Sequence, residues 1–150
     1  MIQKAIHSEN APKAIGPYSP AVKVGDFIYL SGQLPIDPKT GKLAEGGIAE
    51  QTEQCLKNVR AVLGECGLGM EYVLKTTVYL TDMNDFAEMN KVYGTFFKDP
   101  YPARSAAEVS KLALGAKVEI EAFAMDTRAL EVICSEESCA TCSEKETCEF

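Results

Sequence analysis

The chain has 150 residues, 46% of them hydrophobic, and a net charge of −7 at pH 7, which predicts one domain with an ordinary core. The acidic balance argues against a nucleic-acid partner, because proteins bind nucleic acids largely through the negatively charged phosphates. No apolar run reaches the roughly 20 residues of a membrane helix, and the start lacks the apolar region of a secretory signal, so we expect a cytoplasmic protein without a membrane partner.

The first elements in chain order are strands joined by a proline-rich loop. Residues 2–6 form a short candidate strand. Residues 21–24 and 27–33 are extended and apolar, and the Gly25-Asp26 pair between them is typical of a hairpin turn. The chain therefore begins with three predicted strands.

Two residues of this region are candidates for ligand contact. Tyr18 follows a Gly-Pro pair in the loop 8–20 and is either a packed aromatic lid or a ligand contact. Gly32 either lets a ligand approach the backbone closely or simply ends its strand. The single histidine, His7, is interpreted as a solvated residue at a strand end, which leaves little basis for histidine-dependent catalysis or a His-rich metal site.

Two amphipathic helices are predicted, with a strand over residues 72–80 between them. The first lies between Ala49 and Cys66, and its apolar stripe makes Cys55 and Cys66 core residues rather than nucleophiles. The second is capped by Asp82 or Asn84 and has its own apolar stripe, formed by Phe86, Met89, Tyr93 and Phe96. Beside that stripe lies Asn90, which is either a satisfied structural amide or a ligand contact.

Residues 101–109 and 117–125 are predicted to be neighbouring strands. Prolines at 100 and 102 place Arg104 at a strand entrance, where its guanidinium is either a clamp for a carboxylate or a solvated surface group. Alternation in the second strand puts one set of side chains on each face. The apolar set is Val118, Ile120, Ala122 and Ala124, and the mixed set is Glu119, Glu121, Phe123 and Met125.

The element order is strand, strand, strand, helix, strand, helix, strand, strand. Two helices can cover only one face of such a sheet, so we predict an α+β domain of two layers. The other face carries Tyr79, Phe123 and Met125, and we expect a symmetric homo-oligomer to bury it.

Four ordered motifs make the chain resemble a known family. They are IGPYSPA at residues 15–21, SGQLP at 31–35, PARS at 102–105 and VEIEA at 118–122. Together they resemble the Rid family, the reactive intermediate deaminases, also called the YjgF family, over residues 1–128. The resemblance implies a chorismate-mutase-like fold with a mixed sheet, and a homotrimer with active sites between subunits. It also implies hydrolysis of reactive enamines and imines, such as 2-aminoacrylate from pyridoxal-phosphate enzymes, to 2-keto acids and ammonia, with no cofactor.

The resemblance assigns roles to five positions of this chain. Arg104 would bind the substrate carboxylate, which agrees with the clamp interpretation. Tyr18 and Glu119 match positions that contact substrate or water. Gly32 matches a backbone contact beside the ligand, and Asn90 matches a position near the cleft.

Two of the implied positions carry open questions. Family members often have a cysteine two residues after the arginine, where this chain has Ala106; the departure is tolerated if that position contributes its backbone carbonyl. Glu119, partly desolvated at a subunit interface, would have a raised pKa and shuttle a proton. Its alternative role is a structural ion pair with Lys117 or Lys75.

Two other classes of function remain open at this point. A non-catalytic member would use the Arg104 cleft as a sensor of small carboxylates. Some relatives have been described as ribonucleases acting on messenger RNA, and the net charge of −7 weighs against that role.

The resemblance stops before residues 129–150, which contain six Glu, one Lys and four Cys. With few large apolar residues, this acidic tail is expected to be flexible. Its cysteines could alternatively hold zinc or an iron–sulfur cluster, or form disulfides. They are Cys134, Cys139, Cys142 and Cys148.

Truncation after Arg128 is predicted to leave both the trimer and the Arg104 chemistry intact, because the tail cannot offset its ordering entropy by burial. Sedimentation and deaminase rates of the full-length and truncated proteins check this. A tenfold or greater loss of rate on truncation would place the tail in the active site.

Overall fold

The computed structural model of the protein describes residues 2–133. The elements, in chain order, are β1 Gln3–Ile6, β2 Ala21–Val24, β3 Phe27–Gln33, α1 Ile48–Gly64, β4 Val73–Leu80, α2 Phe86–Phe96, β5 Ala103–Glu108, β6 Val118–Met125 and α3 Arg128–Ile133. The predicted order of strands and helices up to β6 is confirmed, whereas α3 was not predicted. Among the helices of this range, none is long and apolar enough to cross a membrane. The four tail cysteines lie outside the described residues.

The strands form one mixed sheet in the order β1-β2-β3-β6-β4-β5. Strands β4 and β5 are parallel, and the other pairs are antiparallel. The prediction that residues 101–109 and 117–125 are neighbouring strands is wrong, because β4 lies between β5 and β6. The reason is the crossover through α2: two parallel strands need such a connection, and it places β5 on the outer side of β4.

The core lies between the sheet and the two long helices. The alternation predicted for β6 is confirmed, with Val118, Ile120 and Ala124 completely buried. From α1, the largest completely buried apolar side chains are Leu56, Val59, Val62 and Leu63. Helices and strands with matched apolar faces therefore form the two-layer α+β domain expected from the sequence.

The two cysteines of the first helical segment differ in their surroundings. Cys55 is completely buried within α1, as predicted. Helix α1 ends at Gly64, earlier than predicted, so Cys66 lies in the following turn and is only partly buried. Gly67 closes this turn with φ +68°, a conformation in which glycine is strongly favoured.

The face of the sheet opposite the long helices, here called the open face, is only partly shielded. Tyr29 and Phe27 on this face are 55% and 43% exposed. The Phe123 ring packs against Phe27 and Tyr29, with ring centroids 5.9 and 4.9 Å apart. Aromatic rings that pack against one another and still remain partly exposed to solvent are typical of a surface that contacts another protein.

One buried amide fixes the segment that follows β3. Asn58 of α1 is 1% exposed, and its Nδ2 donates to the carbonyl oxygens of Leu34 and Ile36 at 2.9 and 3.0 Å. The Nε2 of Gln54 donates to its Oδ1 at 2.9 Å. This amide therefore ties helix α1 to the backbone segment that follows β3.

Asn58→Leu is predicted to lower the free energy of unfolding by about 1–3 kcal/mol, because the carbonyl oxygen of Ile36 loses its Asn58 donor and that of Leu34 keeps only the N–H of Ile36. Urea unfolding at fixed protein concentration measures the change. Lys57→Leu is the matched control, since this neighbouring side chain makes only an exposed ion pair with Glu53 and should change stability by less than about 0.5 kcal/mol. Equal effects of the two substitutions would contradict the role given to Asn58.

Candidate active site

Arg104 lies near the start of β5, the outer strand of the sheet, and its side chain is exposed. Its guanidinium carbon lies 4.6 Å from the centre of the Tyr93 ring and 5.5 Å from that of Phe86, both from α2. Within residues 2–133 it has no carboxylate partner. The planar donors of this cation are therefore available to a ligand with two acceptor oxygens.

Two other predicted site residues belong with Arg104. Ala106 lies two residues further along β5, and so on the same face of that strand; it packs partly against the core. Asn90 lies on α2 between Phe86 and Tyr93, and its Oδ1 is shielded from solvent with no hydrogen-bond partner in the described chain. The interpretation of Asn90 as a satisfied structural amide therefore does not fit its oxygen. We call Arg104, Ala106, Asn90, Phe86 and Tyr93 together the arginine half-site.

A cleft of about 280 Å³ is lined by Tyr18, Gly32 and Glu119. We call these three residues the glutamate half-site. Tyr18 is 47% exposed, so it is not a core aromatic residue. The other lining residues are Ile15, Ser31, Leu34 and Ala113. The loop before β2, the end of β3 and the start of β6 meet at this cleft.

Gly32 leaves room for the side chain of Glu119 beside the backbone of β3. A Cβ placed on Gly32 would lie 2.7 Å from Cδ of Glu119, so a larger residue here would displace the end of that flexible side chain. The β3–β6 register shifts between Leu30 and Gln33, and such irregularities re-aim the side chains beside them. In this chain, the group that approaches the Gly32 backbone is thus a carboxylate of the protein itself.

Burial raises the pKa of the Glu119 carboxyl, and the neighbouring charge of Glu121 raises it further. The alternative role of Glu119, a structural ion pair with Lys117 or Lys75, is not seen among residues 2–133. Lys117 pairs with Asp85 at 3.5 Å, and Nζ of Lys75 lies 3.4 Å from Oγ of Ser105. Glu119 is a partly desolvated carboxyl group without a cation beside it in the described range.

The two half-sites lie on opposite faces of the sheet. Arg104 is aligned with Thr76 of β4, which is 1% exposed and faces the helices. Glu119 is aligned with Tyr79 of the same strand, which faces the other way because side chains alternate. One chain therefore brings together the members of each half-site but does not join the two halves.

The aromatic residues under Arg104 were missed as site residues by the sequence analysis. Phe86 and Tyr93 recur at helical spacing, so they were interpreted only as part of the apolar stripe of α2. Their contact with Arg104 depends on the position of β5, which periodicity does not give. Among residues 2–133, no cluster of His, Cys, Asp or Glu has the arrangement of a metal site.

Comparisons with known proteins identify the family of this chain. Residues 8–126 match the family model described as Endoribonuclease L-PSP. The chain is 48% identical to the mouse protein named 2-iminobutanoate/2-iminopropanoate deaminase, over 83% of this chain and 93% of that one.

Two solved structures show the same fold. A protein of the conserved Rid family from Yersinia pestis has a TM-score of 0.80 and 46% identity, covering 83% of this chain and 99% of its own. TdcF of Escherichia coli, solved with bound serine, has a TM-score of 0.78 and 41% identity, covering 82% of this chain and 98% of its own. The chain therefore belongs to the Rid family, also called the YjgF family, of chorismate-mutase-like α+β proteins.

Proposed function

We propose that the protein hydrolyses short-lived 2-imino acids, and the enamines that tautomerise to them, to 2-keto acids and ammonia. The observation that carries this proposal is the exposed Arg104 guanidinium, which rests on two aromatic rings and has no acidic partner in the described chain. A carboxylate bound there would satisfy both arms of the guanidinium. The name of the mouse relative and the serine bound to TdcF support a ligand that carries an α-carboxylate.

The proposed reaction needs few groups because the imine carbon is already electrophilic. Arg104 holds the carboxylate and thereby binds the substrate in the cleft, in the ground state and the transition state alike. Water adds to the imine carbon and gives one proton to Glu119, which passes it to the imine nitrogen, and the product is a neutral tetrahedral amino alcohol. Glu119 then takes the proton of the hydroxyl group and delivers it to the nitrogen as the carbon–nitrogen bond breaks, so ammonia leaves and the hydroxyl oxygen becomes the keto oxygen. An enamine first tautomerises to the imine, gaining a proton at its terminal carbon and losing one from its nitrogen.

The raised pKa of Glu119 suits this role. A carboxyl group in water is almost fully ionised at neutral pH, and it returns a proton poorly. Burial and the charge of Glu121 shift the pKa of Glu119 upward, toward the pH at which the group both accepts and donates. Tyr18 lies in the same cleft and is assigned to contact with the substrate or the attacking water.

The separation of the half-sites supports a site made by two subunits. In the proposed homotrimer, the arginine half-site of one subunit lies against the glutamate half-site of its neighbour. The exposed aromatic cluster of Phe27, Tyr29 and Phe123 on the open face supplies apolar surface that such an assembly would bury.

Arg104→Lys is predicted to reduce deaminase activity by at least about a hundredfold without unfolding the protein, because lysine keeps the charge but loses the planar fork. The assay mixes the protein with a serine dehydratase and serine and follows release of pyruvate and ammonia. Binding of a carboxylate without acceleration by the wild-type protein would indicate a sensor, and near-normal turnover by the variant would exclude the clamp.

Mixed oligomers test whether two subunits share each site. Arg104→Lys and Glu119→Gln proteins should each be inactive alone. Refolded together in equal amounts, they are expected to regain about a quarter of wild-type activity, because one site in four then combines an intact arginine with an intact glutamate of the neighbour. Mixtures that stay inactive although they form mixed oligomers would place the whole site within one chain.

A further inference from the structure

The orientation of Arg104 depends on the groups that hold its side chain. An arginine on the outer strand of a sheet has several rotatable bonds, and binding a carboxylate through two parallel hydrogen bonds requires one orientation of its plane. The contacts of this guanidinium in the described chain are the faces of Tyr93, at 4.6 Å, and Phe86, at 5.5 Å. These rings therefore determine where its donors point.

Tyr93 is itself held by its burial, by a ring contact and by a hydrogen bond. It is 5% exposed, and its ring centre lies 4.6 Å from that of Phe97. Its hydroxyl group is hydrogen-bonded to Oγ1 of Thr76 at 2.7 Å. Because Thr76 is aligned with Arg104 in the β4–β5 pair, a continuous set of contacts leads from the strand to the tyrosine ring and back to the guanidinium.

We infer that Tyr93, held by its hydrogen bond to Thr76, is a positioning residue that orients Arg104 for binding the carboxylate of the substrate. The identity of that ligand rests on the proposed function, whereas the positioning itself rests on the contacts described above. An aromatic ring suits this task better than a carboxylate. It attracts the cation through its face but leaves the hydrogen-bond donors of the guanidinium unused.

The state of the tyrosine agrees with this role. Burial raises the pKa of Tyr93, and this effect exceeds the opposing effects of the hydrogen bond to Thr76 and the charge of Arg104. The hydroxyl group therefore stays neutral at the pH values at which the protein would work. The Tyr93 side chain therefore carries no negative charge that would compete with the ligand for Arg104.

A positioning role has a kinetic consequence that a general structural role lacks. The carboxylate of the substrate is bound in the ground state and in the transition state alike. Loss of its orientation should therefore raise KM and leave kcat nearly unchanged. A variant that only loosens the fold would instead lower the amount of active protein, and would reduce kcat at constant KM.

The test compares Tyr93→Leu, Tyr93→Phe and Thr76→Val with the control Phe96→Leu. Phe96 lies on the same helix beneath a different arginine, with 5.4 Å between its ring centre and the guanidinium carbon of Arg60. The measurements are KM and kcat in the imine assay and, by calorimetry, the dissociation constant of propionate, a carboxylate that cannot react. Circular dichroism confirms that each variant is folded.

Tyr93→Leu is expected to raise both KM and the propionate dissociation constant about tenfold, with kcat within about twofold of wild type. Tyr93→Phe keeps the ring and should rescue most of the loss, leaving an increase of about twofold to threefold. Thr76→Val should match Tyr93→Phe, and the double variant should be no worse than either, because both changes remove one shared hydrogen bond. Phe96→Leu should leave both constants unchanged.

Unchanged KM and propionate binding in a folded Tyr93→Leu protein would overturn the inference, and so would a loss confined to kcat. If that variant does not fold, Tyr93→Phe and Thr76→Val decide: wild-type constants in both, or additive effects in the double variant, refute the role of the hydrogen bond. If the wild-type protein has no deaminase activity, the proposed function is refuted but the positioning role of Tyr93 is not. Propionate binding still tests that role, and Arg104→Lys is then the negative control.

Discussion

The structure depends on the alternation of side chains along β6. This strand pairs with β3 on one side and β4 on the other, so its two faces are set for the whole sheet. Burial of Val118, Ile120 and Ala124 against the helices forces the residues between them onto the open face. Glu119 and the aromatic Phe123 are there for this reason. The alternation of β6 thus determines both the formation of the core and the position of the candidate catalytic carboxyl group.

Much of the fold follows from local patterns in the sequence. The hairpin of β2 and β3, the apolar stripe of α1 and the two faces of β6 are each encoded by residues that are close together in the chain. Which strands become neighbours is a different kind of information. Residues 101–109 and 117–125 are close in sequence, but the crossover through α2 separates them with β4, and no periodicity within either segment indicates this.

The candidate site was predictable in its members and not in its arrangement. Motifs identified Arg104 and Glu119, and alternation assigned a face to Glu119. Alternation could not assign Arg104 to a face of the sheet, because β5 has the sequence ARSAAE and lacks a regular apolar alternation. The separation into two half-sites, and the contact of Arg104 with Phe86 and Tyr93, are tertiary facts. They depend on the path of the chain between β4 and β5.

The charge of Arg104, which has no carboxylate partner within residues 2–133, also affects how a ligand reaches the protein. With a net charge of −7, the protein repels small anions at long range, and this guanidinium reverses the field only locally. Dissolved salt screens interactions beyond about 8 Å at physiological ionic strength, so it weakens the distant repulsion more than the contact attraction. Capture of an anion here should therefore withstand salt better than capture by a broad basic surface, whose long-range attraction salt removes. An arginine supported by aromatic rings within an acidic protein thus forms an anion site whose contact attraction depends little on dissolved salt.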